Sequence, residues 1–421
     1  MQFREIVYQV SRTIQLFILL GGFYLLIISI LGFIAGLRKK EKKYPPQKRF
    51  ALIVAAHNEE VVIAHIVESL KKQDYPDDLY NIFVIADNCS DSTAEFAQNH
   101  GAIVFERTDQ KNRGKGYALE WMFEKIFLMD ILYDAVCIFD ADNLVSSGFL
   151  HEMNNHLCSG REVVQGYLDS KNPFDSWITC SYSIAFWLSN YLYQLPRYTL
   201  GLSCGLCGTG FCVTLEVLKK IGWGATCLTE DLEFTMKLAL NNIKISFAQD
   251  AIVYDEKPIT LRQSWNQRRR WMQGHADCIS RFAKALFKKA FNEGNLIAFD
   301  CGVYLFQPVR FMFMGLLTVM MWVQSVYPDA PFFNLRNIFS IDVWFVFVTL
   351  QFLFGPFIVL IAKKLNLRVF IGFLIYPIYC LTWVPITIQG FIRRNEKSWC
   401  HTVHTRKISI NDLEENLRKT S

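Results

Sequence analysis

The 421-residue sequence lacks several features that would have placed it quickly. It has no internal repeat and no low-complexity tract, which excludes a solenoid and a disordered scaffold. One C-x-x-C occurs, Cys204 to Cys207 with Cys212 nearby, but no second pair stands at a zinc-ribbon distance, and the 12 cysteines are otherwise scattered. Reduced thiols are the expectation. No Gly-rich stretch has Walker spacing, so a P-loop is excluded. Charged residues are only 20% of the chain, and the net charge of +5 is modest. The basic residues stand beside apolar segments, as in RKKEKK (Arg38 to Lys43), FAKALFKKAF (Phe282 to Phe291), KKLNLR (Lys363 to Arg368) and IRRNEK (Ile392 to Lys397). That placement points to anionic lipid headgroups rather than nucleic acid.

Apolar residues are abundant instead, at 52% with 15% aromatic, and they collect at the two ends. Thr13 to Leu37 reads as one spanning helix, with no small-residue cleavage site after a positive start. The basic flank predicts that the chain emerges from this helix into the cytoplasm. The expected organisation is a membrane helix over 1–43, a cytosolic α/β domain over 44–279, interfacial and membrane helices over 280–399, and a short tail over 400–421. Phe311 to Tyr327, Val343 to Ala362 and Val369 to Phe391 read as apolar segments. Three spans after the domain would put the tail outside, whereas IRRNEKSW, Arg406 and Lys407 predict a tail inside. A partly re-entrant last segment, broken by Pro377 and Pro385, would reconcile the two, as would another interfacial segment.

The middle of the chain alternates strand, loop and helix. Phe50 to Ala55, Ile82 to Ala86, AIVFERT and AVCIFDADN read as strands, with helices between them, one starting near Ser92. This predicts a mostly parallel sheet covered on both faces, with ligands at the carboxyl ends of its strands. Polar residues gather at those ends in HNEE, ADNCSDS and DADN. Asp140 and Asp142 bracket one residue at a strand end, where two carboxylates suit a hard divalent cation completed by phosphate oxygens; a solvated turn would use the same residues. Asp87 could accept from a base or cap its loop. Lys115 sits between two glycines that allow close backbone approach. In CLTEDLEF, Thr229 reads as an N-cap, with Glu230 and Asp231 in the first helical turn. An ionised carboxylate there could also serve as a general base. The stretch SWNQRRRWMQGH places Arg268, Arg269 and Arg270 between two tryptophans, as a membrane anchor or as a grip on phosphate.

The pieces VAAHNEE, ADNCSDST, RGKG, DAD, CGTGF, TED and QRRRW, in this order over residues 51 to 271, resemble the processive membrane glycosyltransferases of family 2, the cellulose, hyaluronan, chitin and poly-N-acetylglucosamine synthases. The resemblance implies a GT-A fold and a membrane-bound inverting transferase of the plasma membrane. It would take a nucleotide sugar, UDP-glucose or UDP-N-acetylglucosamine, and extend and secrete a β-linked glycan. The alternative is transfer of one sugar to a lipid. The implied roles place Ala56, Asn58, Glu59 and Asp87 at the uridine, Lys115 at the nucleotide, Asp140 at the diphosphate and Asp142 at Mg²⁺ or Mn²⁺. Asp231, beside Glu230, would be the base. Gln267, Arg270 and Trp271 would meet diphosphate and acceptor, and Gly208, Thr209 and Gly210 would shape the acceptor site. Arg268 and Arg269 would then remain the lipid-facing anchor. Trp383, Tyr376, Tyr379 and Gln351 are the expected lining of the glycan path. The single N-terminal span implies an accessory subunit or an oligomer. The tail is too short for a cyclic-dinucleotide-binding domain, and KSWCHTVHTR resembles tails of bacterial relatives without giving Trp399 or His404 a role.

Overall fold

A computed structural model of the chain describes residues 2–36, 41–224, 226–334, 341–396, 406–413 and 415, with most side chains of 341–351 outside the description. Trp399 and His404, the residues 38–40 of the first basic cluster and the Gln351 side chain therefore lie outside the described residues. The chain opens with helix α1 (Gln2–Gly36) and then builds β1 (Phe50–Ala56), α2 (Ile63–Lys71), β2 (Tyr80–Asp87), α3 (Thr93–Asn99), β3 (Ile103–Arg107), α4 (Lys115–Phe127) and β4 (Ala135–Asp140). The strands expected from apolar runs are all present, close to their expected ends. Next come β5 (Leu144–Val145), α5 (Phe149–Cys158), β6 (Val163–Ser170), α6 (Trp177–Ser189), a π-turn (Asn190–Gln194), α7 (Leu195–Thr199), β7 (Phe211–Thr214), α8 (Leu215–Ile221), α9 (Glu230–Leu240) and β8 (Ile245–Asp255).

The strands form one eight-stranded sheet in the order β3-β2-β1-β4-β7-β6-β8-β5. Strands β1 to β4 are parallel, as expected, but β7 enters antiparallel between β4 and β6, so the sheet is mixed. Alternate residues of β1 feed two cores. Ile53 packs on one face with Phe83, Ile138 and α4 residues such as Met122; Leu52 and Val54 pack on the other with Ile66 and Phe149. Each such fully buried side chain contributes about 1.5 to 3 kcal/mol of transfer free energy.

The long helix α10 (Leu261–Glu293) leaves the sheet, opened by a capping box between Thr260 and Gln263. It is followed by α11 (Leu296–Leu305), α12 (Gln307–Val326), α13 (Ile341–Ile361), α14 (Leu367–Leu381) and α15 (Trp383–Ile392). Among the described residues, three helical stretches have the length and apolarity of a membrane span: Gln2–Gly36, Gln307–Val326 and Leu367–Ile392. The last divides at Thr382; one of its ends is held by the sheet and the other by α10. Just before it, Lys364 Nζ lies 2.7 Å from Asp169 Oδ2 of β6. Just after it, Gln273 of α10 donates to the Arg393 carbonyl at 2.8 Å. At the opposite end of α1, Arg4 donates to the Asp329 carbonyl at 2.6 Å and Ser11 accepts from Phe333 N at 2.8 Å. The helix α1 thus runs from the α12–α13 connection to the sheet domain, about 50 Å at 1.5 Å per residue.

Candidate active site

Strand register delivers the site. Ala55 pairs with Asp140, Ala56 with Ala86, and Asp87 with Arg107, so the carboxyl ends of β1, β2 and β4 finish level. Because β7 is antiparallel to β4, the CGTGF loop that precedes it must enter at that same end. Gly210 N donates to the Ile138 carbonyl at 2.8 Å, and Asp140 N donates to Thr209 Oγ1 at 3.0 Å. Gly208 has φ +81°, a conformation costly for any side chain, and a Cβ placed there would lie 3.5 Å from Asp231 Oδ2.

Lys115, first residue of α4, ties these pieces together. Its Nζ is ion-paired with Asp140 Oδ1 and donates to the Gly208 carbonyl at 2.7 Å. Burial alone would lower the Lys115 ammonium, but Asp140, Glu230 and Asp231 outweigh it and hold the group above the ordinary lysine value. Glu230 is raised by burial and restrained by Lys115 and Arg270. Burial, then the neighbouring Glu230 charge, pushes Asp231 up to about 7. Thr229 stands just before α9 as expected, but its hydroxyl does not cap the helix and instead sits 3.4 Å from Cys227 Sγ.

The helix α10 seats directly on this corner. A Cβ at Gly274 would fall 2.2 Å from Thr229 Oγ1, so only glycine lets the helix approach so closely. Arg270, one turn earlier, acts on Glu230. Gln267 accepts from Tyr182 OH at 3.0 Å, and Trp271 stacks on Trp383 with centroids 6.5 Å apart. The expected lipid-facing role of Arg268 is corrected. Arg268 is fully buried, 4.3 Å from the Tyr379 ring centroid and 5.0 Å from that of Trp383, and it donates to Thr382 Oγ1 at 2.9 Å where the last apolar stretch divides. Successive helical residues point about 100° apart, so three arginines in a row cannot share one environment. Arg269 is half-buried, and among the described residues no contact of its side chain assigns it a role. Tyr379, expected to line a glycan path, is packed in this cluster at 1% exposure; Tyr376 and Trp383 are partly buried beside it.

At the carboxyl end of β2, Asp87 is buried and paired with Arg107 Nη1 at 2.6 Å, and Asn88 also donates to it. Ala56 ends β1. Asn58, with φ 55°, accepts from Ser90 N at 2.8 Å, and Glu59 N donates to Thr93 Oγ1 at 2.8 Å. These contacts join the two loops into one wall.

Asp142 lies deeper than Asp140. Its Oδ2 accepts from Glu256 N at 3.0 Å, and its carbonyl accepts from Lys171 Nζ at 2.6 Å. The pairing of Leu144 with Tyr254 and of Ser170 with Asp255 brings Asp255 beside it. Asp255 is raised by burial and by Asp142 and Asp140, while Lys257, 2.6 Å away, opposes this. Sequence reasoning missed Asp255, Lys171 and Lys257; the only signal was an apolar strand ending in VYDEK. Among the described residues no three His, Cys, Asp or Glu side chains form a ready cage. Crowded carboxylates fit a hard divalent ion that takes one or two protein oxygens and completes its shell with diphosphate.

The family profile described as Glycosyltransferase like family 2 matches residues 45–274. The chain belongs to this glycosyltransferase family. It is 26% identical over 365 residues, 84% of each chain, to a probable glycosyltransferase YdaM of Bacillus subtilis. It is 30% identical over 237 residues, 53% of this chain and 48% of the relative, to a β-monoglucosyldiacylglycerol synthase of Trichormus variabilis. A poly-β-1,6-N-acetyl-D-glucosamine synthase of Staphylococcus epidermidis is 25% identical over 242 residues, 55% of each chain. The chain spans about half the length of these last two. Among solved structures, the mannosyltransferase PcManGT of Pyrobaculum calidifontis, in complex with GDP-Man and Mn²⁺, superposes with a TM-score of 0.58 at 13% identity, covering 91% of this chain and 99% of that one. The fold is GT-A, joined to a set of apolar helices, and the protein is a glycosyltransferase.

Proposed function

We propose that this glycosyltransferase extends a β-linked glycan at the cytoplasmic face of the plasma membrane, using UDP-glucose or UDP-N-acetylglucosamine. The carrying observation is the convergence of Lys115, Asp140, Gly208, Glu230 and Asp231 with a helix that places Arg270 in the same crevice. The acceptor hydroxyl attacks the anomeric carbon opposite the diphosphate and inverts it. Asp231 takes the hydroxyl proton as the bond forms, because a sugar hydroxyl is too weak an acid to ionise earlier. Lys115 and Arg270 offset charge on the departing diphosphate. The loops bearing Asn58, Glu59 and Asp87 hold the nucleoside. Mg²⁺ or Mn²⁺, when bound, would be held by Asp142 with Asp255 beside it and would neutralise diphosphate charge. The stacked rings of Trp271, Trp383 and Phe311, with centroids 6.5 and 5.9 Å apart, form an apolar platform leading from the crevice toward the membrane helices, suited to a sugar chain.

The orientation we propose is supported by the contacts that hold both ends of Leu367–Ile392, to the sheet through Lys364 and to α10 through Gln273. We assign three crossings, α1, α12 and, on the apolar sequence Val343 to Ala362, α13, with α14 and α15 as a re-entrant pair and the tail on the catalytic side. Ile410 and Leu413 of that tail pack against Leu144 and Tyr254 of the sheet, which supports it.

A second reading, transfer of one sugar to a lipid, is favoured by the same closeness of the crevice to apolar helices and by the likeness to the β-monoglucosyldiacylglycerol synthase. Membranes carrying the protein, given radiolabelled UDP-sugars, distinguish the two. Size-graded, glycosidase-sensitive label is expected. Label found only as an organic-extractable monoglycoside overturns glycan extension.

The pH dependence follows from Asp231. A base must be ionised, and this one is held up to about 7, so turnover rises as pH climbs through that value and is lost as pH falls through it. A kcat profile flat between about pH 6 and pH 8 would remove Asp231 as the base.

A further inference from the structure

A second group of side chains borders Asp231 and plays no part in the roles above. Gln194, the last residue of the π-turn, grips the loop before Gly208 through a paired amide contact: Gln194 Nε2 donates to the Gly205 carbonyl at 2.8 Å, and Gly205 N donates to Gln194 Oε1 at 3.0 Å. One residue on, Leu206 N donates to Thr235 Oγ1 at 3.1 Å, and that hydroxyl donates to the Asp231 carbonyl at 2.8 Å. The π-turn is therefore coupled to the proposed base by a short run of hydrogen bonds. Single π-turns inside helices recur at functional sites because they re-aim side chains.

The same π-turn carries Tyr193. Its ring lies 4.9 Å from that of Tyr304 of α11, tilted by 41°. Tyr304 in turn lies 5.5 Å from the ring of His275. Both tyrosines are only half-buried, and Asp231 is near enough to Tyr304 to act on it electrostatically. His275 is one turn along α10 from Trp271 and so shares its face. It is 8% exposed, and its Nε2 has no hydrogen-bond partner among the described residues. Such a buried nitrogen is costly unless something outside the protein satisfies it.

Behind Tyr193 stands a buried ionic cluster. The Arg197 guanidinium is 3.7 Å from the Tyr193 ring centroid. It forms a two-point pair with Asp300, at 2.7 Å from Nε and 3.0 Å from Nη2, with both partners 1% exposed. Tyr24 of α1 donates to Asp300 Oδ1 at 2.9 Å. A dry, fully paired cluster of this kind fixes geometry more than it adds stability.

We propose that Tyr193, Tyr304 and His275 form a subsite for the terminal pyranose of the acceptor, beside Asp231, and that Arg197, Asp300 and Tyr24 hold it in position. The C–H face of a pyranose packs on the tyrosine rings, and His275 Nε2 meets a ring hydroxyl. Burial lowers the His275 imidazole to about 4, so it is neutral in use and offers an uncharged partner. Tyr193, Tyr304 and His275 touch the acceptor; Arg197, Asp300 and Tyr24 are positioning residues that tie the subsite to the membrane helix α1. The proposal rests on the glycan-extending reading.

The test is steady-state transfer in detergent micelles, with UDP-glucose or UDP-N-acetylglucosamine as donor and cellobiose or N,N′-diacetylchitobiose as acceptor. Tyr304→Ala should raise the disaccharide KM about tenfold, the size of one lost aromatic contact, with donor KM held within about twofold. Tyr304→Phe keeps the ring and should recover most of that loss. Tyr24→Phe removes one hydroxyl far from the crevice and should raise the disaccharide KM about threefold. This variant also reads the proposal should Tyr304→Ala fail to fold. Donor and acceptor KM rising together, or neither moving, overturns the subsite. Wild-type protein that ignores both disaccharides yet glycosylates diacylglycerol overturns the glycan reading and the subsite with it.

Discussion

Replacing Asp231 with Asn is expected to cut sugar transfer by roughly 10³-fold while donor affinity changes little. The substitution keeps the shape of the side chain and an oxygen that can accept from Leu232 N, now 2.8 Å from Oδ1. It removes the carboxylate proposed to take the acceptor proton. Folding should not suffer. A carboxyl whose folded value is raised destabilises the protein as pH rises above its unfolded value, so its removal costs no stability near neutral pH. Donor titration and released UDP, measured on the same preparation, separate the two effects. Transfer within a few fold of wild type would mean that the base lies elsewhere, with Glu230 the next group to test.

The second large effect separates two neighbouring arginines. Arg268→Ala should act on assembly. It empties a fully buried site, leaves Thr382 without its donor and strips a cation from between the Tyr379 and Trp383 rings. A loss on the order of 3 kcal/mol is expected, with Tm in detergent falling by roughly 3 to 5 °C. Arg270→Ala should leave Tm nearly unchanged and lower kcat, because its charge bears on Glu230 at the crevice. Thermal unfolding and turnover on both variants give a crossed pattern. Equal Tm values and equal turnover would return both residues to a common anchoring role.

These two arginines mark how far the sequence could be read. The run QRRRW locates a helix and a chemistry, but which of three successive arginines points inward depends on what the helix packs against. That is decided by Gly274 on Thr229 and by Gly390 on Met272, both tertiary contacts. The strands β1, β2 and β4 were legible because each is an apolar run that stops at a polar loop, and level strand ends brought Asp87 and Asp140 to one edge without further information. Asp255 was not legible. It closes an alternating strand like many others, and only the pairings of β8 with β5 and β6 set it beside Asp142. The stretch Leu367–Ile392 reads by composition as a span, while Pro377, Pro385 and the basic residues beyond it pointed to a re-entrant segment; the contacts that hold its two ends, through Lys364 and Gln273, are tertiary and were not legible. His275, Tyr193 and Tyr304 are ordinary core residue types, visible as a group only once the π-turn and α10 are in place.

The returning stretch Leu367–Ile392 also constrains motion. One end is held to the sheet through Lys364 and the other to α10 through Gln273, so a bilayer that took up this stretch, as proposed above, would be fastened to the catalytic unit at two points. On the glycan-extending reading proposed above, each added sugar would be accommodated by the product sliding past a stationary workbench, so that the stroke length would be set by the sugar and not by the enzyme.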